Sequence, residues 1–317
     1  MKAVGITTYG GPEALHLVEL PDPHAGPGQV RVRVQAAAVN PADVMLRDGV
    51  LADWYAGAGK PFIPGMDIAG VIDQVGHGVD PNMQLEAGQF VTGVVDNYGP
   101  YGGYSQYVAL SAASVTAAPN GASAEEAAAF LMPALTARAA LDNLALAPGA
   151  TLLVTGAAGG VGRYAIALAH AAGLKVIAVA SPDDAGLVNG LGADVFIPRS
   201  EEIAGRVREW FPHGVDAVFD NTTSPEQFYG AIRDRGQILS PRGAAAEQSR
   251  SITVASVNVR ERVTDNAAIT GLREQAEAGI LPMQVAATFP YTRAAEAHRL
   301  FDAGHIRGRI ILSFDDA

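Results

Sequence analysis

The sequence predicts an α/β protein with two domains, one rich in β-strands and one built on a parallel sheet. The chain has 317 residues, whereas single hydrophobic cores usually stop growing near ~250–300 residues. An apolar fraction of 49% and 36 glycines indicate large buried surfaces joined by many tight turns. The order of segments also predicts two domains. A strand-rich stretch comes first, and an alternation of strands and helices follows it.

The stretch up to about residue 118 contains many turns and strand-like segments. Residues 30–34 alternate apolar and polar side chains, as a half-buried strand does, and residues 71–72, 90–95 and 104–108 predict further strands. This part of the chain therefore predicts an antiparallel, partly barrel-like β domain.

The pattern changes at Ser123, where Ser123-Ala124-Glu125-Glu126 has the form of a capping box that begins a helical region toward Leu144. After a turn at Pro148-Gly149, helical segments such as 163–172 and 225–234 alternate with predicted strands at 151–155, 176–180, 195–197, 217–220 and 237–239. Alternation of this kind predicts βαβ units and a parallel sheet.

The C-terminal part contains a strand-like segment at 252–257, helices at 265–278 and 293–303, and a last strand at 309–313. Because this tail is short for an independent core, we expect it to return and complete the first domain.

Charge and composition argue against several classes of function. A formal net charge of -11 repels nucleic acids and anionic lipid surfaces. No apolar run reaches the ~20 residues that cross a bilayer, and the N-terminus lacks a signal peptide, so we expect a cytoplasmic protein. The absence of cysteine excludes thiolate metal ligands, and the seven histidines are scattered, so no metal site is predicted.

A glycine-rich run, Thr155-Gly156-Ala157-Ala158-Gly159-Gly160-Val161-Gly162, lies between a predicted strand and a predicted helix. In this context the first glycine permits a tight turn, Gly159 and Gly160 admit a pyrophosphate, and Gly162 lets the helix pack closely. The helix N-terminus then presents N–H groups to the anion. The run predicts the pyrophosphate site of a dinucleotide, with Gly156, Ala158, Gly159, Gly160, Val161 and Gly162 as cofactor-binding residues. The alternative is an ordinary strand-to-helix turn, in which glycines also occur.

The residues after the second strand bear on the choice of cofactor. The segment 175–180 ends without the carboxylate that would hold the ribose diol of NAD. Ser181 leaves room for a 2′-phosphate, and Arg199 is the nearest cation to pair with it, although a solvated surface arginine is an equal alternative. Asp183 and Asp184 would repel that phosphate if they pointed inward. The sequence thus favours NADP(H) and leaves NAD(H) open.

Short motifs along the whole chain carry a family resemblance: Asn40-Pro41-Ala42-Asp43, Gly65-Met66-Asp67-Ile68-Ala69-Gly70, 88–93, Leu135-Thr136-Ala137, the glycine run, 191–194 and 304–312. With them the sequence resembles the medium-chain dehydrogenase/reductases, in particular the zinc-free quinone oxidoreductase and enoyl reductase branch. The resemblance implies a GroES-like domain formed by residues 1–120 and 251–317, a Rossmann-type dinucleotide domain formed by 121–250, an active site in a cleft and a homodimer.

The resemblance also assigns roles to single residues. Asn40 would donate a hydrogen bond to the substrate oxygen or the nicotinamide ribose, or else cap the turn before Pro41. Thr136 would contact the nicotinamide, or else bond to its own helix. Further expected cofactor contacts are Asn221, Ser240 and Arg309. Asn40 and Met66-Asp67 occupy the positions of zinc ligands in relatives, which implies that the metal is absent. Asp43 and Asp67 are expected to organise backbone turns.

The residues that would contact the acceptor are the least defined. Met45 stands where many relatives have a tyrosine that would face a quinone. The cleft could instead be lined by Tyr55, Tyr98, Tyr101 and Tyr104. Aromatic residues between 97 and 107 fit equally well a hairpin that packs on its own strands.

Three functions follow from these features. The first is an NADPH-dependent reductase of a quinone or an α,β-unsaturated carbonyl, since no proton-relay dyad is evident and such acceptors are already activated. The second is an enoyl-thioester reductase, which would differ in the cleft alone. The third is a non-catalytic nucleotide-binding sensor or scaffold, because a fold does not establish chemistry.

Overall fold

The computed structural model describes residues 1–96, 101–200, 202–222, 225–240 and 250–314. The chain forms two compact units, Met1–Met132 with Val263–Ala278 and Pro282–Ala317, and Pro133–Arg262 with Gly279–Leu281. The chain passes from one unit to the other at 132/133 and 262/263, whereas the boundaries predicted from the sequence lie earlier, at 120/121 and 250/251.

The strands are, in chain order, β1 (Lys2–Ile6), β2 (Leu15–Glu19), β3 (Gln29–Ala38), β4 (Asp67–Val75), β5 (Phe90–Val94), β6 (Tyr107–Ser111), β7 (Val115–Ala117), β8 (Thr151–Val154), β9 (Lys175–Ala180), β10 (Val195–Pro198), β11 (Val215–Phe219), β12 (Ile232–Leu239), β13 (Thr253–Ala255), β14 (Val285–Pro290) and β15 (Arg309–Ser313).

The α-helices are α1 (Pro41–Arg47), α2 (Ala124–Ala128), α3 (Leu131–Leu144), α4 (Gly160–Ala171), α5 (Ala185–Gly190), α6 (Ile203–Trp210), α7 (Asn266–Glu277) and α8 (Ala294–Ala303). Among the described residues, none of these helices is long and apolar enough to cross a lipid bilayer.

The first unit is built around a sheet in the order β14-β15-β3-β4-β5-β7, with β6 also paired to β3. On β3, Val30, Val32 and Val34 point into the core with at most 3% exposure, which confirms the alternation predicted there. β15 pairs antiparallel with β3, so the chain's last strand lies in this sheet. One pair, β14 with β15, is parallel, which the prediction of an antiparallel domain did not include.

Helix α2 explains why the first unit extends beyond residue 120. Its predicted capping box is present, since Ser123 N–H donates to Glu126 Oε2 (2.9 Å) and Glu126 N–H donates to Ser123 Oγ (3.2 Å). The alanines Ala127 and Ala128 pack on Ala36, Ala38 and Ala69 of the sheet. Small side chains on both surfaces let the helix approach the strands closely, and the helix therefore belongs to the β-rich unit.

The second unit contains a sheet in the order β10-β9-β8-β11-β12-β13, and all five neighbouring pairs are parallel. The chain runs outward from β8 to β10 and then crosses to β11 and continues to β13. The order therefore reverses between β8 and β11, and the carboxyl ends of all six strands lie along one edge. The parallel sheet predicted from the alternation is confirmed.

Two predicted elements need correction. Residues 225–234 form a 3₁₀ helix, Pro225–Ala231, and then enter β12, because Ile232 is fully buried in the sheet core rather than on a helix face. The strand predicted at 104–108 begins later, at Tyr107. Tyr104 N–H donates instead to Pro64 O (2.9 Å) in the segment before β4.

We predict that Gly70→Ala lowers the free energy of unfolding by at least about 2 kcal/mol. A Cβ at residue 70 would lie 2.1 Å from the carbonyl oxygen of Arg33, so β3 and β4 would have to separate. Gly271→Ala in α7 is the matched control, since nothing lies within 4 Å of its Cβ, and it should be neutral or stabilise by up to ~1 kcal/mol. Urea unfolding followed by circular dichroism measures both, and equal stabilities would contradict the prediction.

Candidate active site

The glycine run of the second unit forms a tight loop between β8 and α4. Gly156 has φ +56°, and Gly159 N–H donates to Gly156 O (2.9 Å). A Cβ on Gly162 would lie 2.4 Å from the same Gly156 oxygen. The first turn of α4 thus packs directly against the loop, and a side chain at residue 162 would push the two apart.

Backbone N–H groups at the start of α4 come before the first hydrogen bond of the helix. The first backbone bond of α4 runs from Arg163 N–H to Gly159 O (3.2 Å), so the N–H groups of Gly160, Val161 and Gly162 precede it. Gly159 and Gly160 are exposed, and Ala158 is buried beneath them. Exposed glycines at a helix N-terminus fit a pyrophosphate, which needs close backbone approach and N–H donors.

A second strand end supports this loop. Thr155 Oγ1 donates to Asp220 Oδ1 (2.5 Å), while Asn221 donates from Nδ2 to Thr155 O (3.2 Å) and from its backbone N–H to Thr155 Oγ1 (3.1 Å). These bonds hold the loop after β8 against the end of β11. Asn221 therefore lies at the loop. Thr155 and Asp220 support it, although neither was predicted as a site residue. A threonine and an aspartate at the ends of two predicted strands were the available signal.

The remaining candidates of this unit lie along the same sheet edge. Arg199 N–H donates to Ala180 O (2.8 Å), which places exposed Arg199 beside half-buried Ser181 at the ends of neighbouring strands. Ser240 is buried at the end of β12, where its N–H donates to Ala255 O (3.2 Å). Parallel pairing thus brings together all ten candidates that were predicted within this unit's strand-end loops.

Two other candidates, Asn40 and Arg309, meet Asp67 in the first unit and form one buried polar cluster with it. Arg309 Nη2 lies 2.7 Å from Asn40 Oδ1 and 3.0 Å from Asp67 Oδ2, and Asn40 Nδ2 donates to the same Asp67 oxygen (3.0 Å). The exposed fractions are 4% for Asn40, 1% for Asp67 and 7% for Arg309. Burial raises the pKa of Asp67, and the Arg309 guanidinium opposes that rise. We call these three residues the Asn40–Asp67–Arg309 cluster.

The cluster restricts what each member can do. The amide nitrogen of Asn40 donates to Asp67 and also to Ala38 O (3.3 Å), so both of its hydrogens are used within the unit. Donation to a substrate, the role the resemblance implies, would require breaking one of them. Arg309 Nε, by contrast, is buried with no hydrogen-bond partner among the described residues.

Two aspartates organise backbone, as the sequence analysis expected. Asp43 accepts from Gly65 N–H (2.7 Å) and Asn40 N–H (2.8 Å), and Asp67 accepts from Met132 N–H (2.6 Å). Both carboxylates therefore connect chain segments that are distant in the sequence, and these bonds confirm that expectation.

The candidates for acceptor contact differ in their burial. Met45 in α1, Thr136 in α3 and Tyr101 are half-buried, and Tyr101 packs against the core of the first unit. Tyr55 is 2% exposed with its ring edge-on to Phe62 (5.6 Å). Tyr104 is fully buried.

The suggestion that Tyr55 and Tyr104 line a cleft is therefore wrong, because core packing covers their rings. Tyr98 lies outside the described residues. Over the described ranges, no group of three or more His, Asp or Glu side chains is placed to hold a metal ion.

The strand order and the glycine loop define a dinucleotide-binding α/β protein with a separate β-rich unit. Family models agree with this architecture: an alcohol dehydrogenase GroES-like domain matches residues 26–120, and a zinc-binding dehydrogenase domain matches residues 160–271. The NADPH-dependent alkenal/one oxidoreductase of Arabidopsis thaliana chloroplasts is 30% identical over 98% of this chain and 79% of its own length. Human quinone oxidoreductase is 29% identical over 98% and 97%.

Solved structures of related enzymes have the same fold as this chain. An NAD-dependent alcohol dehydrogenase superposes with a TM-score of 0.84 at 29% identity, covering 99% of both chains. A mycobacterial protein complexed with NADPH superposes with a TM-score of 0.84 at 25% identity, covering 99% of this chain and 100% of its own. The chain belongs to the medium-chain dehydrogenase/reductase superfamily, in its quinone oxidoreductase branch, and is an oxidoreductase of a nicotinamide-dependent family.

We predict that Arg309→Met lowers the free energy of unfolding of the first unit by about 3–5 kcal/mol, because Asp67 would be left as a buried, unpaired charge. The double variant Asp67→Asn/Arg309→Met should recover part of this loss. Arg293→Met is the control, since its pair with Glu296 is exposed and its removal should not measurably change stability. Chemical denaturation of the four proteins measures this, and a double variant no more stable than Arg309→Met would contradict it.

Proposed function

We propose that this protein is an NADPH-dependent, zinc-independent reductase that transfers hydride to a quinone or an α,β-unsaturated carbonyl. The observation that carries the proposal is the single sheet edge on which the glycine loop, Asn221, Ser181 and Arg199 lie together. An edge of this kind, where the strand order reverses, is where dinucleotides bind in α/β sheets. The acceptor class is proposed from the names of the Arabidopsis and human relatives.

The preference for NADPH rests on the ends of β9 and β10. Ser181 offers a small hydroxyl where a carboxylate would hold the ribose diol of NAD, and Arg199 lies beside it with an exposed side chain. Asp184 is 5% exposed, so its carboxylate is covered, while Asp183 is exposed. The Arabidopsis relative and the mycobacterial complex support NADPH, whereas the similar alcohol dehydrogenase structure is named for NAD.

Zinc independence is supported by what occupies the positions of zinc ligands in relatives. Asn40 and Asp67 are hydrogen-bonded to each other, and Arg309 Nη2 contacts both. A permanent positive charge there repels a divalent cation, and an arginine also satisfies the acceptors that a metal would need. We infer that the guanidinium takes the place of the metal as the local positive charge.

The chain's residues would then bind and orient the reactants. When bound, the nicotinamide ring supplies the hydride. The N–H groups of Gly160, Val161 and Gly162 hold the pyrophosphate, and Asn221 keeps the loop in place through Thr155. Hydrogen bonds rather than a metal would polarise the acceptor's carbonyl.

We predict that the purified protein oxidises NADPH with quinones or enones, and that a metal chelator leaves the rate unchanged.

Gly162→Ala should weaken NADPH binding by at least about tenfold, because its Cβ displaces the loop. Gly186→Ala in α5, whose Cβ meets nothing within 4 Å, is the control. Stopped-flow absorbance and a fluorescence titration measure rate and binding.

An acceptor panel that includes an enoyl thioester distinguishes the alternatives. Turnover of the thioester alone would favour an enoyl-thioester reductase. Tight NADPH binding with no turnover of any acceptor would overturn the proposed reaction and favour a sensor.

We predict that Arg199→Ala reduces the ratio of NADPH to NADH affinity by about tenfold or more, since a charge-assisted bond to a phosphate contributes about 1.5–3 kcal/mol. Arg206→Ala, which removes another exposed arginine of the same unit, is the charge-matched control. Dissociation constants for both nucleotides from fluorescence titration test this. An unchanged ratio would mean that Arg199 does not contact the 2′-phosphate.

A further inference from the structure

Four buried side chains of the first unit form a continuous hydrogen-bonded chain that the proposed reaction does not use. Arg47 Nη1 lies 3.3 Å from His298 Nδ1, His298 Nε2 lies 3.0 Å from Tyr104 Oη, and Tyr104 Oη lies 3.3 Å from Asp43 Oδ2. Arg47 is 3% exposed and the other three are fully buried. The chain links α1 to α8, and we call it the Arg47–Asp43 chain.

The donors and acceptors of this chain have a single possible direction. A guanidinium can only donate, so His298 Nδ1 must accept and the imidazole proton must be on Nε2. Nε2–H then donates to Tyr104 Oη, and the tyrosine proton points to Asp43. Asp43 therefore has to accept at the end of the chain, which an ionised carboxylate does best.

Asp43 transmits this constraint to the backbone of the candidate site. Besides Tyr104, its carboxylate accepts from the N–H groups of Gly65 and Asn40. Gly65 has φ +104°, and a Cβ there would lie 2.8 Å from Gly103 N, so this turn has little room to shift. Residue 65 lies two positions before Asp67, and Asn40 carries the amide that bonds to Arg309. The carboxylate thus anchors two of the three segments that supply the Asn40–Asp67–Arg309 cluster.

We propose that ionised Asp43, oriented by the Arg47–Asp43 chain, is a positioning residue for the Asn40–Asp67–Arg309 cluster, and that hydride transfer requires this ionised form. The inference rests on the proposed function and concerns the same site. A proton on Asp43 would meet the Tyr104 hydroxyl proton, which cannot turn away because His298 Nε2 already bears a hydrogen. Protonation therefore breaks the hydrogen bond from Tyr104 that orients the Asp43 carboxylate. The backbone at Asn40 and Gly65 is then held less firmly.

Among the four side chains of the Arg47–Asp43 chain, Asp43 is the one whose pKa lies near neutral pH. Burial raises the pKa of Asp43 to about 7, against the two backbone donors that lower it. Burial and Arg47 lower the pKa of His298 to about 3, and burial raises the pKa of Tyr104. The other charged groups facing the chain are Asp67, Arg309, Asp48 and Asp302.

Stability and activity should change with pH in opposite directions. Because the pKa of Asp43 is raised from 3.8 by folding, its contribution to stability is complete below 3.8 and is lost as the pH rises through about 7. Activity needs the ionised form and should rise over the upper part of that window. A residue with a purely structural role would make activity follow stability instead.

The test compares wild-type protein with Tyr104→Phe, which removes the hydroxyl donor and keeps the ring. Carbon-13 NMR of aspartate-labelled protein follows the Asp43 carboxyl, assigned by its absence in Asp43→Asn. Tyr104→Phe should move this titration to higher pH by about half a pH unit or more, because the carboxylate loses a donor. NADPH-dependent quinone reduction should fall about threefold at pH 6 and recover at pH 9. Tyr291→Phe, another buried tyrosine, should change neither.

Variants of His298 provide the second arm. His298→Gln retains a donor for Tyr104 and an acceptor for Arg47, and should keep the wild-type pH profile. His298→Leu should shift the profile as Tyr104→Phe does. Unchanged profiles in Tyr104→Phe and His298→Leu, or activity that falls with stability as the pH rises, would overturn the proposal. The NMR titration needs no turnover. A wild-type protein without reductase activity would therefore contradict the proposed function, and the titration would still test the Arg47–Asp43 chain.

Discussion

The buried ion pair between Asp67 and Arg309 is the interaction on which the first unit depends. The two side chains come from the start of β4 and the start of β15, and both are almost fully buried. A buried carboxylate is tolerated only when it is paired and hydrogen-bonded. Met132 N–H and Asn40 satisfy the rest of the Asp67 carboxylate. The fold must therefore bring the C-terminal tail back to the first strands, and the same contacts build the candidate site.

The second unit depends on a geometric constraint rather than on a charge. In a parallel sheet every strand ends on the same side, so each loop that follows a strand contributes to one edge. The glycine loop lies where the strand order reverses, and the bonds from Thr155 and Asn221 connect it to the next strand. Residues such as Ser181 and Ser240, which are distant in the sequence, thereby lie along the same edge of the sheet. No additional interaction is needed to bring these residues to the same edge of the sheet.

Much of the fold, and the glycine loop of the candidate site, could be predicted from local sequence patterns. The capping box at Ser123, the alternating segment in β3 and the glycine loop each depend on residues close together in the chain, and the structure has them as predicted. Residues 232–234 were predicted as helix as part of the alternation of strands and helices. Their burial against neighbouring strands, which propensity does not include, decides the strand. Tyr55 and Tyr104 looked like candidates for an open surface because an aromatic residue has the same appearance in sequence whether buried or exposed.

By itself, the sequence determined the fold class, the position of the dinucleotide loop and the absence of thiolate ligands, because these follow from periodicity, glycine spacing and composition. The tertiary structure decided which polar residues share an environment. Arg309 joins Asn40 and Asp67, and Arg47 reaches Asp43 through His298 and Tyr104, across separations that no local pattern encodes. The physical reason is that burial requires each polar group to find a partner, and folding alone determines which partner is within reach.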